Sequence, residues 1–230
     1  KLKKIIKGIV EGCKIAKCEL SGGETAEMPG TYSKGKFDIA GFAVGVVEKK
    51  KLLNKTRIKS NNIILAIPSS GIHSNGFSLI RQVLKKKKIN INKYNFHNIN
   101  LKKELLVPTK IYVNEILNLT RKNLINGCVN ITGGGLFDNL SRMIPVGLQG
   151  NINLEQVKVL KIFKWLKTKN IAESEMLKTF NCGIGFCLIV NKKNIQEISS
   201  FFSKKYRPYI IGYISKGPKR INKYGKINWK

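Results

Sequence analysis

A mixed α/β fold, with helices packed on mixed sheets, is what the sequence predicts. Short apolar runs of strand length, NIILAIP, CVNI and GIGFCLIV, alternate with stretches whose apolar residues recur every three to four positions. Glycine-rich turns follow the strand-like runs. At 230 residues and 42% hydrophobic content the chain can bury a sizeable core. No run approaches the roughly 18 uninterrupted apolar residues of a membrane span, so no membrane partner is expected.

KLKKIIKGIVEG opens the chain with Leu2, Ile5, Ile6, Ile9 and Val10 at helical spacing. It has no initiating methionine and lacks the apolar region and cleavage site of a signal peptide, so it reads as a fragment beginning inside a helix. AKCELSGG reads as a short strand entering a glycine turn. FDIAGFAVGVVEK, residues 37–49, reads as a β segment in which Gly41, Ala43 and Gly45 alternate with bulkier residues, a pattern that suits close approach by another backbone. The charged stretch KKKLLNKTRIKSNN sets a domain boundary near residue 56, giving domains 1–55 and 56–230.

Beyond it, NIILAIP is a strand, SSGIHSNG a turn, and FSLIRQVLKKK a helix with Phe77, Ile80, Val83 and Leu84 on one face. Residues 89–101 read as an Asn-rich loop, KIYVNEILNLTRK as an amphipathic helix opened just after Pro108, CVNITGGG as a strand ending in glycines, and LFDNLSRMI as a short helix. VKVLKIFKWLK carries the helical period through Val157, Leu160, Phe163 and Trp165/Leu166. GIGFCLIV is a buried strand, NIQEISSFFSKK a helix, and YIIGYISKG with YGKINW the closing strands.

Forty-three basic residues against 13 acidic ones give a net charge of +30, which raises a basic nucleic-acid-binding module as one reading. Of the 43, however, 37 are Lys and 6 are Arg, in a chain crowded with Ile and Asn. That joint excess is expected of codons rich in A and T, whereas a nucleic-acid reader invests in Arg forks and stacked aromatics. No specific nucleic-acid partner is expected, and Lys85 to Lys88 reads as a solvated helix end favoured by the helix dipole. Cys13, Cys18, Cys128, Cys182 and Cys187 form no C-x-x-C pair and lack histidines at zinc spacing. Scattered thiols in odd number suit buried structural roles in a reducing, cytoplasmic setting.

Three glycine turns carry the chemistry. SGGET offers Gly22, Gly23 and Thr25; SSGIHSNG offers Ser69, Ser70, Gly71, Ser74, Asn75 and Gly76; TGGG offers Thr132, Gly133, Gly134 and Gly135. Without a Cβ, backbone N–H groups can converge on an anion, and a following helix adds its positive end. The first two turns are read as ATP or phosphate sites. No G-x-x-x-x-G-K-[ST] and no G-x-G-x-x-G after a strand is present, so a different nucleotide fold is required. His73, one of two histidines, sits in SSGIHSNG, where an ordinary pKa near neutrality suits proton transfer or phosphate stabilisation. It is the first catalytic candidate. Asp38 is the second, with pairing to a lysine as the equal alternative. His97 is given no role.

GGETAEMPG at 22–30, FDIAGFAVGVVEK, SSGIHSNGFSLIR at 69–81, PTKIYV at 108–113, TGGG at 132–135 and EMLKTFNCGIG at 175–185 resemble, in order, the family of phosphoribosylformylglycinamidine cyclo-ligase, or aminoimidazole ribonucleotide synthetase. The resemblance runs from about Gly12 to about Gly212. It implies an ATP-dependent ring closure in purine biosynthesis: ATP phosphorylates the formamide oxygen of formylglycinamidine ribonucleotide, the neighbouring nitrogen attacks, and phosphate leaves as the imidazole closes. It also implies two α/β domains, with ATP near a homodimer interface that uses the strand around Phe37 to Val47, and a C-terminal cleft for the ribose-phosphate substrate.

By the same resemblance Glu24 falls where related ATP-using enzymes have an acidic residue at a metal site. A hard cation such as Mg2+ wants carboxylate oxygens. Thr132, Gly133, Gly134, Gly135, Asn181 and Gly183 become substrate-binding candidates. Family members carry a further stretch before the position of Lys1 that completes the ATP and metal site, so residues 1–230 read as the C-terminal two-thirds of a subunit, with 1–55 the remnant of the ATP domain. The fragment alone is not expected to be a complete enzyme. The amidotransferase-type synthetase that makes the linear amidine is the alternative enzyme, distinguished by its far greater length.

Overall fold

The computed structural model describes residues 2–230. It divides into two compact units, one ending at Leu52 and one running from Leu53 to Lys230. In the first, α1 (Leu2–Ala16) is the amphipathic helix expected, and none of its described residues is buried. Lys17 closes it in the left-handed conformation (φ 55), with Lys17 N–H on Lys14 O and Cys18 N–H on Cys13 O, each at 3.1 Å. This is the Schellman pattern.

Residues 18–48 then run without helix or strand, which corrects both β segments expected in AKCEL and in residues 37–49. An extended chain becomes a strand only when a second backbone takes up its N–H and C=O groups. Phe42, Val44 and Val46 are 93%, 86% and 99% exposed, so the alternation is present while a ladder is not.

The second unit contains β1 (Ile63–Pro68), α2 (Phe77–Lys86), β2 (Asn95–Phe96), β3 (Ile99–Asn100), α3 (Leu101–Leu105), α4 (Val113–Arg121), β4 (Ile125–Asn130), α5 (Gly135–Ser141), β5 (Leu148–Asn153), α6 (Lys161–Lys167), α7 (Glu173–Thr179), β6 (Ile184–Val190), α8 (Ile195–Ser200), β7 (Tyr209–Lys216) and β8 (Ile221–Tyr224). Six strands form one mixed sheet in the order β4-β6-β1-β7-β5-β8. Every neighbouring pair is antiparallel except β5 and β8.

Strand alternation explains the two cores. Ile64 and Ala66 of β1, with Cys187 and Ile189 of β6, face one side, where α2, α3, α5, α6 and α7 add Ile80, Leu101, Leu140, Phe163 and Met176. Leu65, Ile67, Leu188 and Val190 face the other, under Leu119 of α4 and Ile198 of α8. A central strand buried on both faces reads as a continuous apolar run, as NIILAIP and GIGFCLIV do. Trp165, 4% exposed, belongs to this packing.

Three local expectations are corrected by the structure, and two elements were missed. Residues 89–101 hold the small hairpin β2–β3, turned by His97 and Asn98 at φ 44 and 61, backbone values that match a primed hairpin turn. The helical period of VKVLKIFKWLK begins only at Lys161, because Leu160 is extended (φ −72, ψ 151). The closing strand is Ile221–Tyr224 rather than YGKINW, since its partner is β5. Strand β5 and helix α7 escape the sequence reading, β5 because LQGNIN is half polar.

Candidate functional site

The sheet order places three sequence-distant stretches at one edge. Strand β6 runs antiparallel to both β1 and β4, so the ends of β1 and β4 and the start of β6 share a border, with Pro68 opposite Ile184 and Asn130 opposite Phe186. The turn 69–76 leaves β1 there, Thr132 to Gly135 leave β4, and Asn181 to Gly183 enter β6.

The turn after β1 is held by its own polar atoms. Ser70 Oγ donates to Pro108 O at 2.7 Å and accepts from Lys110 N–H at 3.1 Å. His73 is 9% exposed, and its Nε2 accepts from Ser70 N–H at 3.1 Å and lies 3.1 Å from Ser70 Oγ. An accepting Nε2 puts the ring proton on Nδ1. Burial lowers the imidazole from 6.5 to about 4. The ring is therefore neutral near pH 7, and its Nε2 lone pair is spent on its own turn.

The unfolded chain takes up this proton near pH 6.5 and the folded one only near 4, so stability falls as pH drops from 6.5 towards 4 and is unaffected on this account above 6.5. His73→Asn, whose side chain tolerates the positive φ of 60, should lose less stability than the parent between pH 7 and pH 4.5. Urea midpoints at the two pH values check this, and equal losses would remove His73 as the cause.

Helix α2 begins behind Gly76, which takes φ 92; a Cβ there would overlap the Phe180 ring. A cleft of about 520 Å3 opens at this helix start, lined by Ser74, Asn75, Gly76, Ser78, Arg81 and Thr179. Asn75 crosses to the neighbouring segment, its Nδ2 donating to Thr179 O at 2.7 Å. A Cβ added to Gly133 would come 3.2 Å from Asn75 Oδ1, so the turns after β1 and β4 touch.

Asn139 organises the TGGG turn: Nδ2 donates to Gly135 O at 2.7 Å and Gly133 O at 3.0 Å, while Oδ1 accepts from Thr132 Oγ1 at 3.2 Å. Asn181, 5% exposed, ties the third stretch to the first. Its Oδ1 accepts from Ser69 Oγ at 2.9 Å and Gly183 N–H at 2.8 Å, and its Nδ2 donates to Gly71 O and Ile72 O.

Thus Ser69, Ser70, Gly71, His73, Ser74, Asn75, Gly76, Thr132 to Gly135, Asn181 and Gly183 come together at one edge. Of these, Ser74, Asn75 and Gly76 line the cleft, while Asn181 and His73 are buried. Gly22, Gly23, Glu24, Thr25 and Asp38 lie in the other unit, all exposed. The structure gives Asp38 a partner other than lysine: Tyr32 donates its hydroxyl to Asp38 Oδ2 at 3.0 Å.

Among the described residues no three His, Cys, Asp or Glu side chains converge on a point that could hold a metal ion. Glu24 alone offers one carboxylate, so these residues do not by themselves make a Mg2+ site. Arg81, Glu175 and Thr179 at the cleft escape the sequence reading. Arg81 lies one turn into a helix that follows a glycine turn and closes the SSGIHSNGFSLIR block, which are the signals that could have found it.

Residues 59–223 match the C-terminal domain of AIR synthase related proteins, and residues 1–47 match their N-terminal domain. The chain is 46% identical over 215 residues to phosphoribosylformylglycinamidine cyclo-ligase of Clostridium perfringens, covering 93% of this chain and 63% of that protein. It is 44% identical over 227 residues to the same-named protein of Carboxydothermus hydrogenoformans, covering 94% and 64%. Against the chloroplastic/mitochondrial cyclo-ligase of Vigna unguiculata the identity is 43% over 216 residues, covering 93% and 56%. The chain thus spans less than two thirds of the length of these relatives.

Among solved structures, thiamine-monophosphate kinase from Stenotrophomonas maltophilia superposes with a TM-score of 0.53 at 14% identity, covering 79% of this chain and 56% of that one. That likeness is one of fold. With the C-terminal domain matched along more than half of its residues, the chain belongs to the family of AIR synthase related proteins, in company with the phosphoribosylformylglycinamidine cyclo-ligases.

Proposed function

We propose that the complete protein catalyses the ATP-dependent cyclisation of formylglycinamidine ribonucleotide to 5-aminoimidazole ribonucleotide, releasing ADP and phosphate. The observation that carries this is the 46% identity over 215 residues to a cyclo-ligase. ATP transfers its terminal phosphoryl group to the formyl oxygen, the amidine-side nitrogen attacks the activated carbon, and the carbon–oxygen bond breaks to release phosphate.

Within this scheme the cleft at the start of α2 binds a phosphate group. The first-turn N–H groups of the helix and the Arg81 guanidinium supply donors and positive charge. The Thr132 to Gly135 turn presents backbone groups to the ribose-phosphate substrate, with Asn181 and Gly183 holding the floor. His73 acts as a positioning residue that keeps Ser70, and with it the turn, in place. Gly22, Gly23 and Thr25 contribute to ATP, and Asp38 keeps Tyr32 in register.

Glu24 can give Mg2+ a single carboxylate oxygen, with the remaining ligands drawn from phosphate oxygens and from parts of the complete protein outside this chain. A homodimer through residues 37–47 and a cytoplasmic location complete the reading. The charge of +30 is compositional, and no specific nucleic-acid partner is assigned.

The test is ATP-dependent aminoimidazole ribonucleotide formation by the complete protein; turnover of the amide substrate with ammonia instead would move it to the amidotransferase-type synthetase. Arg81→Ala is expected to raise the KM of one phosphate-bearing substrate about tenfold, a modest loss for a charge-assisted hydrogen bond. Unchanged KM for both ATP and the ribonucleotide would remove the phosphate from this cleft.

A further inference from the structure

The Schellman turn that ends α1 joins two thiols. The bond from Cys18 N–H to Cys13 O, 3.1 Å long, closes a six-residue loop. In this motif the side chains at its two ends meet, and the positions are commonly apolar. Here both are cysteines, Cys13 half-buried and Cys18 exposed. The Cys13 thiol is raised above its ordinary value by desolvation and by interaction with the Cys18 side chain, as expected of thiols in contact. Backbone local to the turn makes this pairing, so it does not depend on the packing of other segments.

The other three thiols are placed differently. Burial pushes Cys128 up to about 11 and Cys182 up to about 12, and Cys187, wholly buried, is raised as well. Since the thiolate is the nucleophile, these three are poor sites for exchange.

We infer that Cys13 and Cys18 form a modification site, a local dithiol that a small disulfide oxidant converts into an intramolecular disulfide. The exposed Cys18 thiolate attacks one sulfur of the oxidant; the oxidant's S–S bond breaks, a mixed disulfide forms, and a thiolate leaves and is protonated. Cys13 Sγ then attacks Cys18 Sγ and expels the second small thiol. Two protein thiols and one oxidant disulfide become one protein disulfide and two small thiols, so the protein is oxidised and the oxidant reduced. Residues 21–25, the SGGET turn, begin three positions after Cys18, so the bridge anchors the entrance to the segment that carries Glu24.

The experiment treats the complete protein with oxidised glutathione, followed by intact mass and peptide mapping after alkylation. The expected result is loss of two hydrogens and a peptide linking Cys13 to Cys18, with Cys128, Cys182 and Cys187 alkylated only after unfolding. Cys13→Ser should stop at a glutathione adduct on Cys18, and Cys18→Ser should give neither product. A persistent glutathione adduct on Cys18 of the parent protein, a bridge to any other cysteine, or no change at all would overturn the inference.

Discussion

Asn181→Ala is expected to destabilise the C-terminal unit by about 3–5 kcal/mol, in the upper range for single substitutions. The side chain is 5% exposed and makes four hydrogen bonds, two as acceptor and two as donor, to Ser69, Gly183, Gly71 and Ile72. Truncation strands all four partners at once, and each buried group left without a partner costs about 1–3 kcal/mol, reduced where water enters. Ser69→Ala, which removes one partner and leaves the other three bonds, should cost about 1 kcal/mol, a typical single hydrogen bond. Urea unfolding at constant slope measures both. Near-equal effects of the two substitutions would show that the amide is not the clamp between the turn after β1 and the entry to β6. Because this clamp holds the turn 69–76, whose end lines the cleft, Asn181→Ala should also weaken phosphate-bearing substrates, whereas Ser69→Ala should leave them nearly unchanged.

Gly185→Ala should cost about 3 kcal/mol, the upper end of the usual cost of overpacking a well-packed core. A Cβ on this β6 residue would overlap Tyr112 Oη and lie 2.8 Å from His73 Cε1. Neither ring is free to retreat. Tyr112 is 5% exposed, donates its hydroxyl to Pro68 O at 2.7 Å and packs on Phe186 with ring centroids 5.3 Å apart. His73 is fixed by the hydrogen bond its Nε2 accepts from Ser70 N–H. Tyr112→Phe deletes the closest colliding atom, so in the Gly185→Ala background it should recover part of the loss, a coupling of about 1 kcal/mol. Strictly additive effects in the double-mutant cycle would mean that the two residues do not collide. Activity should fall with stability in this series, since the displaced His73 ring takes the turn 69–76 with it.

The sequence singled out Asn181 as a substrate-binding candidate but showed neither its four hydrogen bonds nor the contact between Gly185 and Tyr112. The central strands were legible because burial on both faces leaves an uninterrupted apolar signature in NIILAIP and GIGFCLIV. Helices α2 and α4 were legible because one buried face imposes the 3.6-residue period. Strands β5 and β8 were not, since LQGNIN and INKY carry polar residues and become strands through their pairing, Gly150 to Asn153 lying parallel to Ile221 to Tyr224. Residues 37–49 show the converse: their pattern is that of a strand, yet pattern alone does not supply the partner backbone.

The amino-acid sequence by itself determined the mixed α/β class, the central strands and glycine turns, and, through its ordered motif blocks, the family. These are properties of local periodicity, chain stiffness and residue identity. The tertiary structure alone decided that β6 lies between β1 and β4, which is what gathers the SSGIHSNG, TGGG and NCG turns on one edge. It also decided that His73 is buried and neutral rather than poised near neutrality, and that Arg81 borders the cleft. The reason is common to all three: hydrogen-bond partners and desolvation are set by residues far away in the chain, and no local pattern encodes them.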